Sequence, residues 1–220
     1  MRSAALLAGA CLIGALAARQ NAAGEQGESA APQEVLTVPL GPHALQRILY
    51  VAPAHPLRAI VMMPGGSGDL GLGRSADLPQ NQNFVIRTRF LWVERGYAVI
   101  IPDALDHQNM RGLRSSPEYA AVVDMLVDFA RTRVTDGPIF LLGTSQGSIA
   151  AMNGAAHARP GQLAGVVLTE SVSRLGGSHE TVFDADPAGV RVPALVVANR
   201  DYGIEEQVVA QIAGWMQALN

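Results

Sequence analysis

The stretch Gly143-Thr144-Ser145-Gln146-Gly147 decides which fold this chain is expected to adopt. It follows the apolar run 138–142 and precedes the small, mostly apolar run 148–152. A strand, a sharp turn with a serine at its apex and then a helix form the context in which the pattern G-x-S-x-G makes a nucleophile elbow. We expect this turn to strain the backbone of Ser145 and to lift its hydroxyl above the end of a sheet. The alternative is an ordinary strand-to-helix turn in which Ser145 caps the helix.

Strand-like and helix-like segments alternate on both sides of this turn. Short apolar runs predict strands at 34–40, 46–51, 59–63, 97–101, 139–142, 164–168 and 193–198. Helices are predicted at 83–95, after Ser116-Pro117-Glu118 and at 204–219, where apolar residues recur with helical spacing. Continuous apolar strands that alternate with helices are typical of a parallel sheet covered on both faces. We therefore predict a single α/β domain with a mostly parallel sheet and an antiparallel opening pair of strands.

The apolar faces of two helices can also be assigned. We expect the helix after Ser116 to bury Ala121, Met125, Leu126 and Phe129. We expect the last helix to bury Val208, Ile212, Trp215, Met216 and Leu219. Both sets recur at three- and four-residue intervals, which places them on one side of a helix.

Composition bounds the function classes that remain. The chain has 220 residues, a net charge of −3 and 16% charged residues, which suits one domain with a full core and gives no sign of a nucleic-acid surface. It has no run of 18 apolar residues, so no stable membrane span is expected. It also has no lysine, which excludes Schiff-base and P-loop lysine chemistry. We expect no cofactor and no metal site, and the oligomeric state stays open.

The N-terminal segment predicts export. Arg2 precedes the small, apolar run 4–18, and Ala15-Leu16-Ala17 offers a cleavage site, so we assign 1–18 to a signal peptide. A flexible leader at 19–33 and the domain at 34–220 then follow, in a secreted or periplasmic protein. Two alternatives stay open: a lipoprotein acylated at Cys11, and a plain N-terminal helix of the domain. Cys11 is the only cysteine, so a cleaved chain has no disulfide and no cysteine nucleophile.

Three features together resemble a known family. Ser145 sits in the elbow pattern, Pro64-Gly65-Gly66-Ser67-Gly68 follows the third predicted strand, and the late apolar run 193–198 leads to Asp201. In these features, over about residues 34–220, the chain is similar to the α/β-hydrolases. The resemblance implies a serine hydrolase of esterase type that acts on a small carboxylic ester or a related acyl compound.

The resemblance also implies the roles of individual residues. Ser145 would be the nucleophile and Asp201 the acid, since the family's order is serine, acid, histidine. The backbone N–H of Gln146 and one from Gly66 or Ser67 would form the oxyanion hole. A serine hydroxyl attacks only when a base accepts its proton, and the donors then stabilise the oxyanion of the tetrahedral intermediate. Asp103 and Asp106, which follow another strand, are expected to shape their own loop.

The histidine base is missing from its expected place. All five histidines, His43, His55, His107, His157 and His179, precede Asp201. His179, in the long loop after the sixth strand, is the best substitute, and the alternative is a solvated loop histidine. The family places a helix, a strand and a histidine loop before its closing helix, whereas here Asp201 leads almost directly into one helix. The domain is therefore expected to be shortened at its C-terminal end.

Two explanations for the shortening stay open: either the chain ends early or a segment is missing internally. The second is supported because Tyr202-Gly203-Ile204-Glu205 is similar to the ending of some bacterial hydrolases without its histidine. Two other functions also remain. A non-catalytic protein of this fold would bind an ester or acyl ligand without turnover. A dinucleotide-binding domain is suggested by the G-x-G-x-x-G match at 66–71, which requires a helix to start there.

Overall fold

The computed structural model describes residues 31–40, 45–73, 83–198 and 203–219. The strands in these ranges are β1 (Gln33–Pro39), β2 (Leu45–Val51), β3 (Arg58–Met63), β4 (Tyr97–Pro102), β5 (Ile139–Thr144), β6 (Gly165–Thr169) and β7 (Ala194–Val197). The α-helices are α1 (Phe84–Val93), α2 (Pro117–Arg133), α3 (Gly147–Ala156) and α4 (Glu205–Gln217). Single-turn helices lie at Leu105–His107, Val182–Ala185 and Pro187–Gly189.

The strands form one seven-stranded sheet in the order β1-β2-β4-β3-β5-β6-β7. β2 pairs antiparallel with β1 and β4, and the other neighbouring strands are parallel. Every residue of β4, β5 and β6 is buried, because helices cover both faces of these inner parallel strands. The predicted fold class, a mostly parallel sheet covered by helices on both faces, is confirmed.

The strand order decides which face each helix covers. β4 and β5 lie on opposite sides of β3, so right-handed crossovers place α1 on one face and α2 and α3 on the other. Two separate apolar cores result, one under α2 and α3 and one under α1. α4 packs on the same face as α1, where its buried Val208, Val209 and Ile212 join the core under α1.

Local signals in the sequence set the ends of the helices. The Asn83 side chain accepts a hydrogen bond from the Val85 N–H at the start of α1, and Gly96, with a φ of 82°, follows its end. The Ser116 side chain accepts from the Tyr119 N–H at 3.2 Å, so the predicted start of α2 is confirmed. β1 begins at Gln33, one residue before the predicted start of the domain.

The predicted inner face of α2 is only partly right. Leu126 is buried, but Ala121 is exposed and Met125 and Phe129 are half-buried. The helix contacts both the sheet and α3, so it buries a wider stripe: Tyr119, Ala120, Val122, Val123, Leu126, Val127 and Ala130. Trp215 in α4 is half-buried, and Leu219, which lies beyond the end of the helix at Gln217, is 36% exposed.

Several predictions fall outside the described residues. The predicted signal peptide (1–18), Cys11, most of the predicted leader, His43 and Asp201 all lie there. Among the helices of the described ranges, none combines the length and the apolar character that crossing a bilayer requires.

Candidate active site

Ser145 lies at the apex of the turn between β5 and α3, with a left-handed φ of 50°. A Cβ atom on Gly143 would come within 2.2 Å of the Gly147 carbonyl oxygen, and one on Gly147 within 2.1 Å of the Met63 carbonyl oxygen. Both positions therefore exclude any side chain. This is the sharp, strained strand-to-helix turn on which a nucleophile elbow depends.

The elbow is fastened to the end of β6 by backbone and side-chain hydrogen bonds. The Ser145 N–H donates to the Thr169 carbonyl oxygen at 3.0 Å. The Ser148 hydroxyl donates to the Ser145 carbonyl oxygen at 2.6 Å and accepts from the Val172 N–H at 3.2 Å. These three contacts hold the strained backbone of Ser145 in place, because any relaxation of the turn would break them.

The glycine-rich loop after β3 approaches the elbow closely. A Cβ atom on Gly65 would lie 3.1 Å from the Thr144 carbonyl oxygen and 3.2 Å from the Ser145 Cβ. The loop turns back through the Gly68 N–H, which donates to the Gly65 carbonyl oxygen at 3.2 Å, with Gly66 at a φ of 63°. Only glycine adopts such a conformation at little steric cost, so the composition of the loop follows from its shape.

Three backbone N–H groups where the glycine-rich loop meets the elbow have no acceptor among the described residues. The N–H groups of Gly66, Ser67 and Gln146 donate no hydrogen bond to any other described residue. Gln146 occupies the N-cap position of α3, where the helix dipole favours negative charge. The sequence predicts these three residues for the oxyanion hole; Gly66 and Ser67 line the same cavity as Ser145, and Gln146 follows Ser145 at the start of α3.

A cavity of about 290 Å³ opens above the serine. Its lining combines the elbow, the glycine-rich loop and the start of α1: Gly65, Gly66, Ser67, Asp69, Leu70, Asn83, Phe84, Thr144, Ser145 and Glu170. A cavity of this size holds a small ligand and presents polar groups around the serine hydroxyl.

Asp103 binds its own loop, as the sequence predicts, and also a segment of the cavity wall that the sequence did not predict. Its carboxylate accepts from the backbone N–H groups of Leu70 at 2.6 Å, Leu72 at 2.8 Å and Ala104 at 2.9 Å. The carboxylate therefore fixes the segment that follows the glycine-rich loop. Asp106 lies in the single-turn helix Leu105–His107 with a left-handed φ of 47° and is exposed.

Asp69, Asp103 and His107 lie close enough to suggest metal ligands, but their chemistry does not fit a metal ion. The His107 Nδ1 lies 3.0 Å from an Asp69 oxygen and 3.8 Å from an Asp103 oxygen. The Arg47 guanidinium lies 3.0 Å from the His107 Nε2. Because a guanidinium only donates, Nε2 accepts and the proton sits on Nδ1, facing Asp69. A metal ion would need the lone pair of Nδ1, which this tautomer does not offer.

The structure does not bring His179 to the serine. His179 is exposed in the loop after β6, and its N–H donates to the Gly176 carbonyl oxygen at 3.1 Å. None of the four described histidines, at 55, 107, 157 and 179, lines the cavity or hydrogen-bonds the Ser145 hydroxyl. The predicted role of His179 as a substitute base is therefore unsupported by its position, since a base must lie within about 3 Å of the proton that it accepts.

Glu170 is a cavity residue that the sequence analysis missed. It follows β6 directly, lines the cavity with Ser145 and has a left-handed φ of 48°. Its N–H donates to the Val197 carbonyl oxygen at 3.2 Å, which ties it to β7. The signal that could have found it is its place: the first residue after a parallel strand adjacent to the elbow strand lies at the same edge of the sheet.

Comparison with known proteins gives a match at the level of structure. No family model matches the sequence, and a search of curated proteins gives no match. A fungal esterase from Rhizomucor miehei aligns with a TM-score of 0.61 at 11% identity, over 89% of this chain and 84% of that one. Brefeldin A esterase aligns at 0.58 and 14% identity, over 89% and 79%. Dienelactone hydrolase from Anabaena variabilis aligns at 0.57 and 13%, over 86% and 98%.

At these identities the likeness concerns the fold. The chain has the α/β-hydrolase fold that the resemblance in the sequence implied. What the protein does at its site is a separate inference, which the geometry around Ser145 has to carry.

Proposed function

We propose that this protein is a serine hydrolase that acts on a small carboxylic ester or a related acyl compound, with Ser145 as its nucleophile. One observation carries the proposal. The strained Ser145 lines a cavity together with Gly66 and Ser67, and the N–H groups of these two residues and of Gln146, which follows Ser145 in the elbow, donate to no other described residue. The fold of the structural neighbours, which include esterases, supports the same reaction class.

The geometry suits acyl transfer. The serine oxygen attacks the carbonyl carbon of the ester, its proton passes to solvent water, which later protonates the departing alcohol, and the carbonyl oxygen becomes an oxyanion. Free N–H donors at the start of α3 and in the glycine-rich loop stabilise that charge, and each such donor typically contributes about 3 kcal/mol to lowering the barrier. The carbonyl then re-forms, the alcohol leaves as it takes a proton, and water releases the acyl group from Ser145.

The reaction is expected to be slow in this chain. None of the described histidines hydrogen-bonds Ser145 or lines its cavity, and Asp201, the predicted acid, lies outside the described residues. With no histidine among the described residues to take the serine proton, we expect binding and the oxyanion donors to supply most of the acceleration. In serine-hydrolase triads that residual effect is roughly 10³–10⁴-fold over water.

A second candidate function is favoured because none of the described histidines lies at Ser145. A protein of this fold without a base near the serine can bind an ester or acyl ligand in the cavity without turnover. The dinucleotide alternative has less support, because residues 65–73 contain turns and no helix begins among them. The fingerprint requires a helix that starts at the last glycine.

A fluorophosphonate probe tests the proposal. We expect wild-type protein to be labelled at Ser145, slowly but to one equivalent, because the oxyanion donors also stabilise the phosphonyl transition state. Ser145→Ala should abolish labelling, and Ser173→Ala, at an exposed serine after β6, should label as wild type. Labelling that persists in Ser145→Ala, or none in wild type, would contradict a nucleophilic Ser145 and favour the binding protein.

We also propose that the protein is exported, with its signal peptide removed near Ala17. The charged Arg2 and the apolar run 4–18 support this. Mass spectrometry of protein from a bacterial periplasm should find a chain that begins near Ala18. An intact Met1 in a secretion-competent host would contradict export, and a lipid-modified Cys11 at the N-terminus would identify the lipoprotein alternative.

A further inference from the structure

Arg114 is a buried cation beneath the glycine-rich loop, and no step of the proposed reaction uses it. It is 1% exposed, and burial lowers the pKa of its guanidinium from the ordinary value. Its Nη2 donates to the Pro64 carbonyl oxygen at 3.4 Å, and a Cβ atom on Gly68 would lie 2.8 Å from the same nitrogen. The guanidinium therefore lies directly against both ends of the loop 64–68.

The backbone around Arg114 is held on two sides. Glu180, 3% exposed, accepts from the Gly112 N–H at 2.8 Å, the Ser115 N–H at 3.0 Å and the Ser115 hydroxyl at 3.1 Å. From α3, the buried Asn153 side chain donates to the Arg114 carbonyl oxygen at 2.9 Å. Asn153 belongs to α3, which begins directly after the elbow. Its hydrogen bond therefore fixes the position of the Arg114 backbone relative to the elbow that carries Ser145.

A second contact holds the loop from the same side. The Met110 N–H donates to the Ser67 carbonyl oxygen at 2.9 Å. Arg114 and Met110 thus bind the carbonyl groups of Pro64 and Ser67, while Gly65 packs against Ser145 on the other side. With its carbonyl groups engaged by the segment 110–114, the loop keeps the N–H groups of Gly66 and Ser67 available to a ligand in the cavity.

We propose that Arg114 is a positioning residue, which holds the loop 64–68 so that its free N–H groups meet the acyl oxygen at Ser145. This inference rests on the proposed function of Ser145. A buried arginine need not have such a role, because a buried charge that is only structural can often be replaced by an apolar side chain without loss. The two roles predict different effects of substituting Arg114. Loss of a positioning residue lowers the reaction rate of the bound ligand, whereas loss of a purely structural residue changes only the stability of the protein.

The test uses Arg114→Met and Arg114→Lys with the fluorophosphonate probe, at temperatures below the measured unfolding of each variant. We expect Arg114→Met to lower the maximal labelling rate by about 100-fold, as for the loss of one oxyanion donor, with the half-saturating probe concentration unchanged. Arg114→Lys, which keeps a donor for the Pro64 carbonyl, should recover part of the rate. Arg133→Met, at an exposed arginine at the end of α2, is the matched control and should label as wild type.

Amide hydrogen exchange supplies a readout that does not depend on labelling. The amides of Gly68, Asp69 and Leu70 are hydrogen-bonded, and we expect them to exchange faster in Arg114→Met while those of β4 do not change. The inference is overturned if either the labelling rate or the loop exchange equals that of wild type. If wild-type Ser145 is never labelled, the proposed function fails, and the exchange result alone decides whether Arg114 holds the loop.

Discussion

The two sides of the sheet beside Ser145 differ in how well they are packed and hydrogen-bonded. On the side of β3, Arg114 is buried, and the half-buried glycine-rich loop hydrogen-bonds to Arg114 and to Met110 and packs closely against Ser145 of the elbow. On the side of β7, the strand has four residues, and its Ala194 and Val196 are exposed, Val196 by 58%. The side that we propose to stabilise an oxyanion is therefore held by several contacts, while the strand that leads toward the predicted acid is partly exposed.

The placement of α4 helps to explain this contrast. Right-handed crossovers that run toward β7 place their helix on the α3 face, so a helix leading from β7 to a further strand beyond it would lie there. α4 instead packs on the α1 face, and Val196 on the α3 face of β7 stays uncovered. The exposed face of β7 is thus the face that a crossover helix covers in this type of sheet, and α4 does not cover it.

Glycine substitutions should give the largest difference between the two sides. In Gly147→Ala the added Cβ would meet the Met63 carbonyl oxygen at 2.1 Å, so the elbow and β3 must move apart. We expect a loss of more than about 3 kcal/mol in the free energy of unfolding, measured with urea. Gly214→Ala on α4, where no atom lies within 4 Å, should instead stabilise by about 0.5–1 kcal/mol. Equal effects at the two positions would remove the contrast.

Two valines on the same face of neighbouring strands give a smaller, matched test. Val166 on β6 is fully buried, whereas Val196 on β7 is 58% exposed. We expect Val166→Ala to cost about 2 kcal/mol, from lost burial and the cavity left behind. Val196→Ala should change stability by less than about 0.5 kcal/mol. A comparable loss at Val196 in urea unfolding would mean that something covers this face of β7 in solution.

The sequence predicted the elements that depend on local patterns. The elbow, the strand runs and the cap at Ser116 follow from spacing and residue type within a few positions. The exposure of β7 could not be predicted, because an apolar run such as 193–198 has the same pattern whether a helix covers it or not.

The loop and cavity contacts that the sequence did not predict are set by tertiary neighbours. Arg114 is buried only because the loop 64–68 and Glu180 meet around it, and nothing local distinguishes it from the exposed Arg111. Glu170 lines the cavity with its backbone in a left-handed conformation. Its N–H hydrogen-bonds to the Val197 carbonyl oxygen on the neighbouring strand. In both cases the residue contacts a segment that is distant in the sequence. A local sequence pattern therefore cannot predict the contact.

Loss of the ion pair between α1 and α4 should have the smallest effect on the free energy of unfolding. The direction in which this effect changes with pH follows from the pKa of Glu205. The Arg87 Nε lies 2.8 Å from a Glu205 oxygen. Burial alone would raise the pKa of Glu205, but the N–H groups of Glu205 and Gly203 and the Arg87 guanidinium together lower it. A lowered pKa in the folded state means that the stabilisation is complete above the unfolded pKa, about 4.3, and is lost as pH falls through the folded value.

Glu205→Gln should therefore destabilise the protein at pH 7 by less than about 1 kcal/mol, because the pair lies near the surface. The difference from wild type in urea unfolding should shrink as pH falls below 4 and as salt is added, since screening weakens such pairs. Glu118→Gln, at an exposed carboxylate in the first turn of α2, controls for the loss of an acidic side chain near a helix N-terminus. A pH-independent difference at Glu205 would mean that packing, and not charge, holds α4 to α1.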